Sequence, residues 1–252
     1  MPVGIWVSFP RGLRSERRRL NSLIDNLRTA PDRSAALERY RSLAERYDAS
    51  CRLIERLRLA AVDRLELRPG DTVHDVACGT GAVLPELAQR VGAGGRVIGI
   101  EQSPEMAGRA AARFPDAALP SNVELLVAPV EEARPAAPAD ALLFCYTHDV
   151  LQSPRALDNL LAHARPGARI ALLGLRLLPW SLGGPINLWL IWRARRYLTT
   201  YRGLKAPWAL FAERVEDLRV ARCSRIGTSY LAVARARRDI SPQYEGNDVR
   251  SL

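Results

Sequence analysis

The sequence predicts a doubly wound α/β domain: a mostly parallel seven-stranded sheet, an N-terminal helical lid and a helical insertion after the fifth strand. Three observations carry this. Short β-type apolar runs alternate with amphipathic stretches every 20–30 residues from Thr72 to Leu175. The first run ends in a glycine turn, and a carboxylate closes the next run 20 residues after the turn's last glycine. Beyond Leu175 a tryptophan-rich stretch breaks the alternation.

The elements follow in order. From Ala35 to about Leu67, apolar residues recur at three-and-four spacing (Leu37, Tyr40, Leu43, Tyr47, Cys51, Ile54, Leu57, Ala61, Leu65), which predicts amphipathic helix, divided near Asp48-Ala49. Arg68-Pro69-Gly70-Asp71 is a turn before a strand over Thr72–Val76. Helix follows over Ala82–Val91, strand over Arg96–Ile100, helix over Pro104–Phe114, and strands over Asn122–Ala128 and Ala139–Cys145. Leu151–Ala164 reads as helix, Pro166-Gly167 as a turn and Arg169–Leu175 as strand. Ala209–Asp217 reads as helix, and Leu218–Arg225 and Thr228–Ala234 as a closing pair of strands. The expected organisation is an arm and lid over residues 1–67, a core over 68–235 that includes a substrate-covering insertion at 177–208, and a disordered tail over 236–252.

Composition bounds the function. The chain has 252 residues, 48% hydrophobic and 25% charged, ordinary values for a globule with a sizeable core. With 6% aromatic residues it lacks the material for stacked-base platforms. The balance is basic, 37 Lys+Arg against 27 Asp+Glu, and Lys205 is the only lysine. The one dense basic stretch is Arg11, Arg14, Arg17, Arg18 and Arg19. Cys51, Cys78, Cys145 and Cys223 lie far apart with no CxxC pair, which argues against disulfide and zinc frameworks, predicts no metal and makes a cytoplasmic location the default. The N-terminus has charge after its apolar residues, the reverse of a secretory signal.

In a doubly wound sheet, ligands bind outside the carboxyl ends of the strands. The first strand–helix turn here is Asp75-Val76-Ala77-Cys78-Gly79-Thr80-Gly81, and Glu101 ends the next strand. A carboxylate so placed accepts both hydroxyls of a ribose. A dinucleotide turn wants a third glycine where Leu84 stands, and Asp75 would repel a phosphate. An acid in the turn suits a ligand with a positive amine and no phosphate, as in S-adenosylmethionine.

Val73-His74-Asp75-Val76-Ala77-Cys78-Gly79-Thr80-Gly81, with Glu101 after Val97-Ile98-Gly99-Ile100, resembles motifs I and II of the class I S-adenosylmethionine-dependent methyltransferases. The resemblance covers roughly residues 70–175 and implies a Rossmann-like fold with S-adenosyl-L-methionine as cofactor. It implies that Asp75 holds the amine end, that Gly79 and Gly81 let the backbone approach, and that Glu101 holds the ribose. Gln102 and Met106 would flank the adenine, with Ala77 and Cys145 as further cofactor-side positions. Tyr47, in the Tyr47-Asp48 pair, would touch the amino-acid end. The chain departs from the family at Ala128-Pro129-Val130-Glu131: Pro129 has no acceptor side chain for the adenine amine, leaving the Val130 N–H to reach the ring and Glu131 to substitute as acceptor.

Methyl transfer from a sulfonium depends mainly on a near-attack pose, and needs a base only when the nucleophile must lose a proton. The fourth strand ends in Cys145-Tyr146-Thr147-His148-Asp149. His148 is the candidate base, Asp149 its orienting partner or a base itself, and Tyr146 a pocket residue; the alternative is that His148 and Asp149 cap the next helix. Tyr40, with Trp180 and Trp189 of the insertion, is expected to contact substrate. Half of all Trp and Tyr residues lie in Leu177–Trp208, which implies a small, largely apolar or aromatic acceptor methylated on N, O or C. Two alternatives stay open: a membrane-associated lipid-headgroup or quinone-type methyltransferase, and an S-adenosylmethionine-binding protein without methyl transfer. A weak membrane-surface contact and a homodimer stay open as well. Nucleic acid is not expected as a partner, because the N/D-P-P-Y/F base-flipping motif is absent.

Overall fold

Seven strands make one sheet: β1 (Thr72–Val76), β2 (Arg96–Glu101), β3 (Val123–Val127), β4 (Ala139–Cys145), β5 (Ala164–Leu175), β6 (Val215–Arg222) and β7 (Ser229–Ala236). Their spatial order is β3-β2-β1-β4-β5-β7-β6. The computed structural model describes residues 30–44, 47–48, 54–115, 118–222 and 227–238. Arg11 to Arg19, Cys51, Cys223 and the expected tail from residue 239 lie outside them. Ala236, taken from sequence as the first tail residue, ends β7 and is buried.

The period-2 alternation of the strands sorts the core onto two faces. Val76, Ile98, Ile100, Leu142, Phe144, Ile170 and Leu172 pack on one face with Ala156, Leu157 and Leu160 of helix α6 (Pro154–Ala162) and Phe211 of α8 (Ala209–Ala212). Val73, Val97, Ala141, Leu143, Ala171 and Leu173 pack on the other with Val62 of α2 (Glu55–Asp63), Leu84 and Leu87 of α3 (Leu84–Val91) and Ala110 of α4 (Pro104–Ala111). Every residue of β1 is buried, as befits a central parallel strand covered on both sides.

The sheet is mixed. Strands β1 to β5 pair in parallel, whereas β7 runs antiparallel to both β5 and β6. The short link between β6 and β7 makes that pair antiparallel, since a parallel neighbour needs a crossover of a dozen or more residues. Three local expectations also change. Ala209–Asp217 is helical only to Ala212; Val215 is buried at the start of β6 and draws Glu216 and Asp217 into the strand. The helix expected over Leu151–Ala164 divides into α5 (His148–Leu151) and α6, because the Ser153 side chain caps α6 at the Ala156 N–H and Pro154 opens it. Pro166-Gly167 lies within β5 as an irregularity in its pairing with β4.

Two segments lie outside the sheet and its covering helices. Helix α1 (Arg33–Leu43) is capped by the Asp32 side chain, which accepts from the Ala35 N–H at 3.0 Å. Helix α7 (Trp180–Ala194), between β5 and β6, is kinked at Gly183. Asn187, fully buried, ties α7 back to the end of β5: its amide exchanges two 2.9 Å hydrogen bonds with the Leu178 backbone.

Candidate functional site

The strand order makes β1 the switch point, with β2 and β3 built to one side and β4 and β5 to the other. The crevice at the carboxyl ends of β1 and β4 is where a ligand is expected in such a sheet. Leaving β1, the chain turns sharply. Ala77 has φ +49°, Gly79 +58° and Gly81 +67°. The glycines differ in purpose. A Cβ on Gly79 would meet nothing within 4 Å, so the cavity begins there, whereas one on Gly81 would come within 2.8 Å of the Ala110 Cβ. Gly81 is a packing residue between the turn and α4, and does not line the cavity.

Glu101 joins this turn to the next. One carboxylate oxygen accepts from the Gly79 N–H at 2.9 Å, the other from the Ser103 N–H at 2.8 Å. Burial pushes its carboxyl up, against those backbone donors, which hold it down. The Gln102 N–H also donates to this carboxylate, and Glu101 lines the cavity with Ala77, Gln102, Met106 and Val130. Asp75 lies deeper. It is 2% exposed, absent from the cavity wall and close enough to Arg58 to feel its charge. Burial lifts its carboxyl to about 7. Its Oδ2 is buried without a hydrogen-bond partner among the described residues.

The opposite wall is the segment after β4. Cys145, Tyr146, Thr147, His148 and Asp149 all line the cavity. Tyr146 adopts φ +60°, a left-handed conformation costing about 1–3 kcal/mol for a non-glycine residue and characteristic of functional sites. The Thr147 hydroxyl and both His148 ring nitrogens are buried without a side-chain partner among the described residues. Burial lowers the His148 pKa; the Asp149 charge and the Arg202 backbone act the other way. Asp149 does not orient His148. Its carboxylate accepts from the Thr199 N–H at 2.9 Å and the Thr199 hydroxyl at 2.6 Å.

Those contacts belong to a roof made of α1 and residues 197–199. The Asp32 N–H donates to Thr199 Oγ1 at 3.0 Å, the Tyr40 hydroxyl to the Tyr197 carbonyl at 3.0 Å, and Arg39 to the Leu198 carbonyl. Asp48 accepts from Thr80 Oγ1 at 2.6 Å and from Arg113 at 2.7 Å, fastening the chain beyond α1 to the glycine turn. Tyr47 stacks edge-on with Tyr40 and with Tyr197, ring centroids 6.2 and 5.9 Å apart.

Behind this tyrosine cluster lies a second, apolar cavity, lined by Leu175, Trp189, Leu190, Leu198, Leu204 and Tyr230 among others. Tyr40, Tyr47, Tyr146, Thr147, His148, Tyr197 and Leu198 line both cavities.

Residues 73–167 match the family model described as a methyltransferase domain. The chain is 36% identical over 96 residues to the ubiquinone/menaquinone biosynthesis C-methyltransferase UbiE of Geobacter sp. (strain M21), covering 36% of this chain and 41% of that protein. It is 34% identical over 127 residues to the nocamycin O-methyltransferase of Saccharothrix syringae, covering 48% and 45%. The chain thus spans under half the length of these relatives. The N-methyltransferase NodS of Bradyrhizobium japonicum WM9 shares the fold, with a TM-score of 0.53 at 18% identity over 74% of this chain and 96% of that one.

The expected site residues divide. Ala77, Gly79, Glu101, Gln102, Met106, Val130, Cys145, Tyr47, Tyr146, His148, Asp149 and Tyr40 come together on the first cavity wall. Asp75 and Gly81 lie behind it. Trp189 lines the second cavity while remaining 55% exposed. Trp180 reaches neither cavity, because it opens α7 ahead of the kink at Gly183. Sequence reasoning missed Thr147, Tyr197 and Thr199. Thr147 sat unremarked beside His148; Tyr197 and Thr199 have no local signal, since only the fold of the insertion brings them over the crevice.

Proposed function

We propose that the first cavity holds S-adenosyl-L-methionine, the second holds a small, largely apolar or aromatic acceptor, and a methyl group passes between them at the shared wall. The observation that carries this is the junction of the two cavities at Tyr146, Thr147 and His148, beside the Glu101-bearing turn. The cofactor would supply a methyl group bound to a positive sulfur. Glu101 would take the ribose hydroxyls, and Met106 and Val130 would sandwich the adenine. With Pro129 lacking a side-chain acceptor, Glu131, on the same wall and held by Ser153 Oγ at 2.7 Å, is the polar group left for the adenine amine. Asp75 would act on the ligand's positive end through its field from beneath the turn, not by contact.

His148, kept neutral by burial, would accept a proton on a ring nitrogen from an O–H, N–H or activated C–H acceptor. The roof of α1 and residues 197–199 would act as the lid, excluding water, and α7 as the cover of the acceptor. The C- and O-methyl transfers named in the two relatives fit this division. No helix among the described residues is long and apolar enough to cross a membrane. The free thiols of Cys78 and Cys145 suit a cytoplasmic enzyme.

Isothermal titration with S-adenosylhomocysteine tests the cofactor site. Glu101→Ala should weaken binding roughly 30- to 1000-fold, the worth of two charge-assisted hydrogen bonds. Unchanged affinity would remove the ribose site from this cavity. Binding retained with no labelled-methyl transfer to any acceptor in cell extract would favour a binding protein over an enzyme.

A further inference from the structure

Among the described residues, one surface of α7 groups three of the exposed large hydrophobic side chains. Pro185, Leu188, Trp189, Trp192 and Arg196 recur at helical spacing, and all are exposed. Leu188 is 50% exposed and both tryptophans 55%. Their indole faces carry arginines: the Arg193 guanidinium lies 5.7 Å from the Trp189 ring centroid and Arg195 5.1 Å from that of Trp192. The opposite side of the helix is fully used, with Leu190 and Ala194 buried against Leu177, Leu198 and Leu204. No Asp or Glu stands anywhere between Asp158 and Glu213, so the tryptophan face is flanked by Arg193, Arg195, Arg196, Arg202 and Lys205 without a neutralising acid from its own segment.

Large apolar side chains grouped on a surface mark an interaction site. Here their chemistry selects the partner. Tryptophan favours the headgroup level of a bilayer, and arginine beside it favours anionic lipid. The helix has 15 residues, too few for the roughly 20 that span a bilayer. It therefore suits lying in the interface. We infer that the outer face of α7 docks the protein on an anionic membrane surface. Trp189 and Arg193 belong to this face and also line the second cavity, so docking brings that cavity's edge against the lipid. A lipid-dissolved acceptor would enter there; this last step rests on the acceptor assignment above, whereas the docking does not.

The test is sedimentation of the full chain with vesicles, in the absence of cofactor and acceptor. Wild type should pellet with vesicles of phosphatidylglycerol and phosphatidylcholine in equal parts, and not with phosphatidylcholine alone. The pair Leu188→Ser and Trp192→Ser should lower the partition at least about tenfold, as should the pair Arg195→Glu and Arg196→Glu, at roughly 1 kcal/mol per basic residue. These four positions line neither cavity, so S-adenosylhomocysteine affinity should match wild type and report an intact fold. Wild type failing to pellet would overturn the inference. So would binding kept by both variant pairs, which would assign lipid attraction to Arg11–Arg19. A concentration-dependent dimer lost in Trp192→Ser, without vesicle binding, would make the face a contact between copies and overturn it equally.

Discussion

The two cavities meet at one wall yet are made by different means. The floor of the first is built at strand ends, under the roof of α1 and residues 197–199: Ala77 and Gly79 after β1, Glu101 at the end of β2, Val130 after β3, and Cys145 to Asp149 from the end of β4 onward. Its polar groups are fixed by hydrogen bonds, as in the Glu101 clasp that ties the end of β2 to Gly79 and Ser103. The second is built from side chains that meet only through tertiary packing: Leu190 and Ala194 of α7, Leu204 beyond it, Gly174 and Leu175 at the end of β5, Tyr230 on β7, and the tyrosines of the roof. A site at strand ends is positioned by the sheet itself. A site made of an insertion can change its lining without disturbing the sheet, which suits a constant cofactor and a variable acceptor.

The sharpest way to break this division is at the shared wall. His148→Ala should lower kcat by about 10²–10⁴ while leaving S-adenosylhomocysteine affinity intact. Because burial lowers the His148 pKa, the wild-type rate should stay flat through neutrality and fall only below the ordinary histidine range. Single-turnover rates for both proteins from about pH 5 to 9 decide the matter. A variant near the wild-type rate, with a flat profile, would leave proximity as the whole of catalysis.

A smaller effect separates the cavities themselves. Trp189→Ala should raise the acceptor KM by about tenfold, the worth of losing part of an aromatic wall, with cofactor affinity unchanged. An equal loss in cofactor binding would show the two cavities to be one site. Smaller again, Thr199→Val removes the hydroxyl shared by Asp149 and the Asp32 N–H. It should weaken both ligands by a few-fold, since the roof covers both, at about 1 kcal/mol per hydrogen bond. An effect on one ligand alone would confine the roof to that cavity.

The least effect on activity should come from beneath the turn. Burial raises the Asp75 carboxyl from 3.8 to about 7, with Arg58 opposing. The folded state thus keeps a proton that the unfolded chain releases in this interval, so stability falls as pH rises from about 4 to 7. Asp75→Asn should flatten that slope, measured by urea unfolding at about pH 5 and 7.5. A slope left unchanged would mean that Asp75 stays charged against Arg58 in the fold.

What the sequence by itself determined is the local part. Short β-type runs bounded by turn residues gave β1 and β4 their limits, because a parallel strand covered on both faces needs no alternation. The glycine turn and Glu101 were legible because a tight turn and an acid one unit later have fixed places at the strand ends. Tertiary structure decided the rest. It enclosed Asp75, since all of β1 is covered on both sides, and it packed Gly81 against α4. It turned β7 antiparallel to β6 through their short link, and made a strand of Val215 to Asp217, where burial of Val215 outweighs helix propensity. It brought Tyr197 and Thr199 to Tyr40 and Asp149, and left Trp180 outside both cavities. Periodicity and turn chemistry act within a few residues of chain, whereas the roof joins residues more than a hundred positions apart, and only packing of the whole fold selects which of them meet.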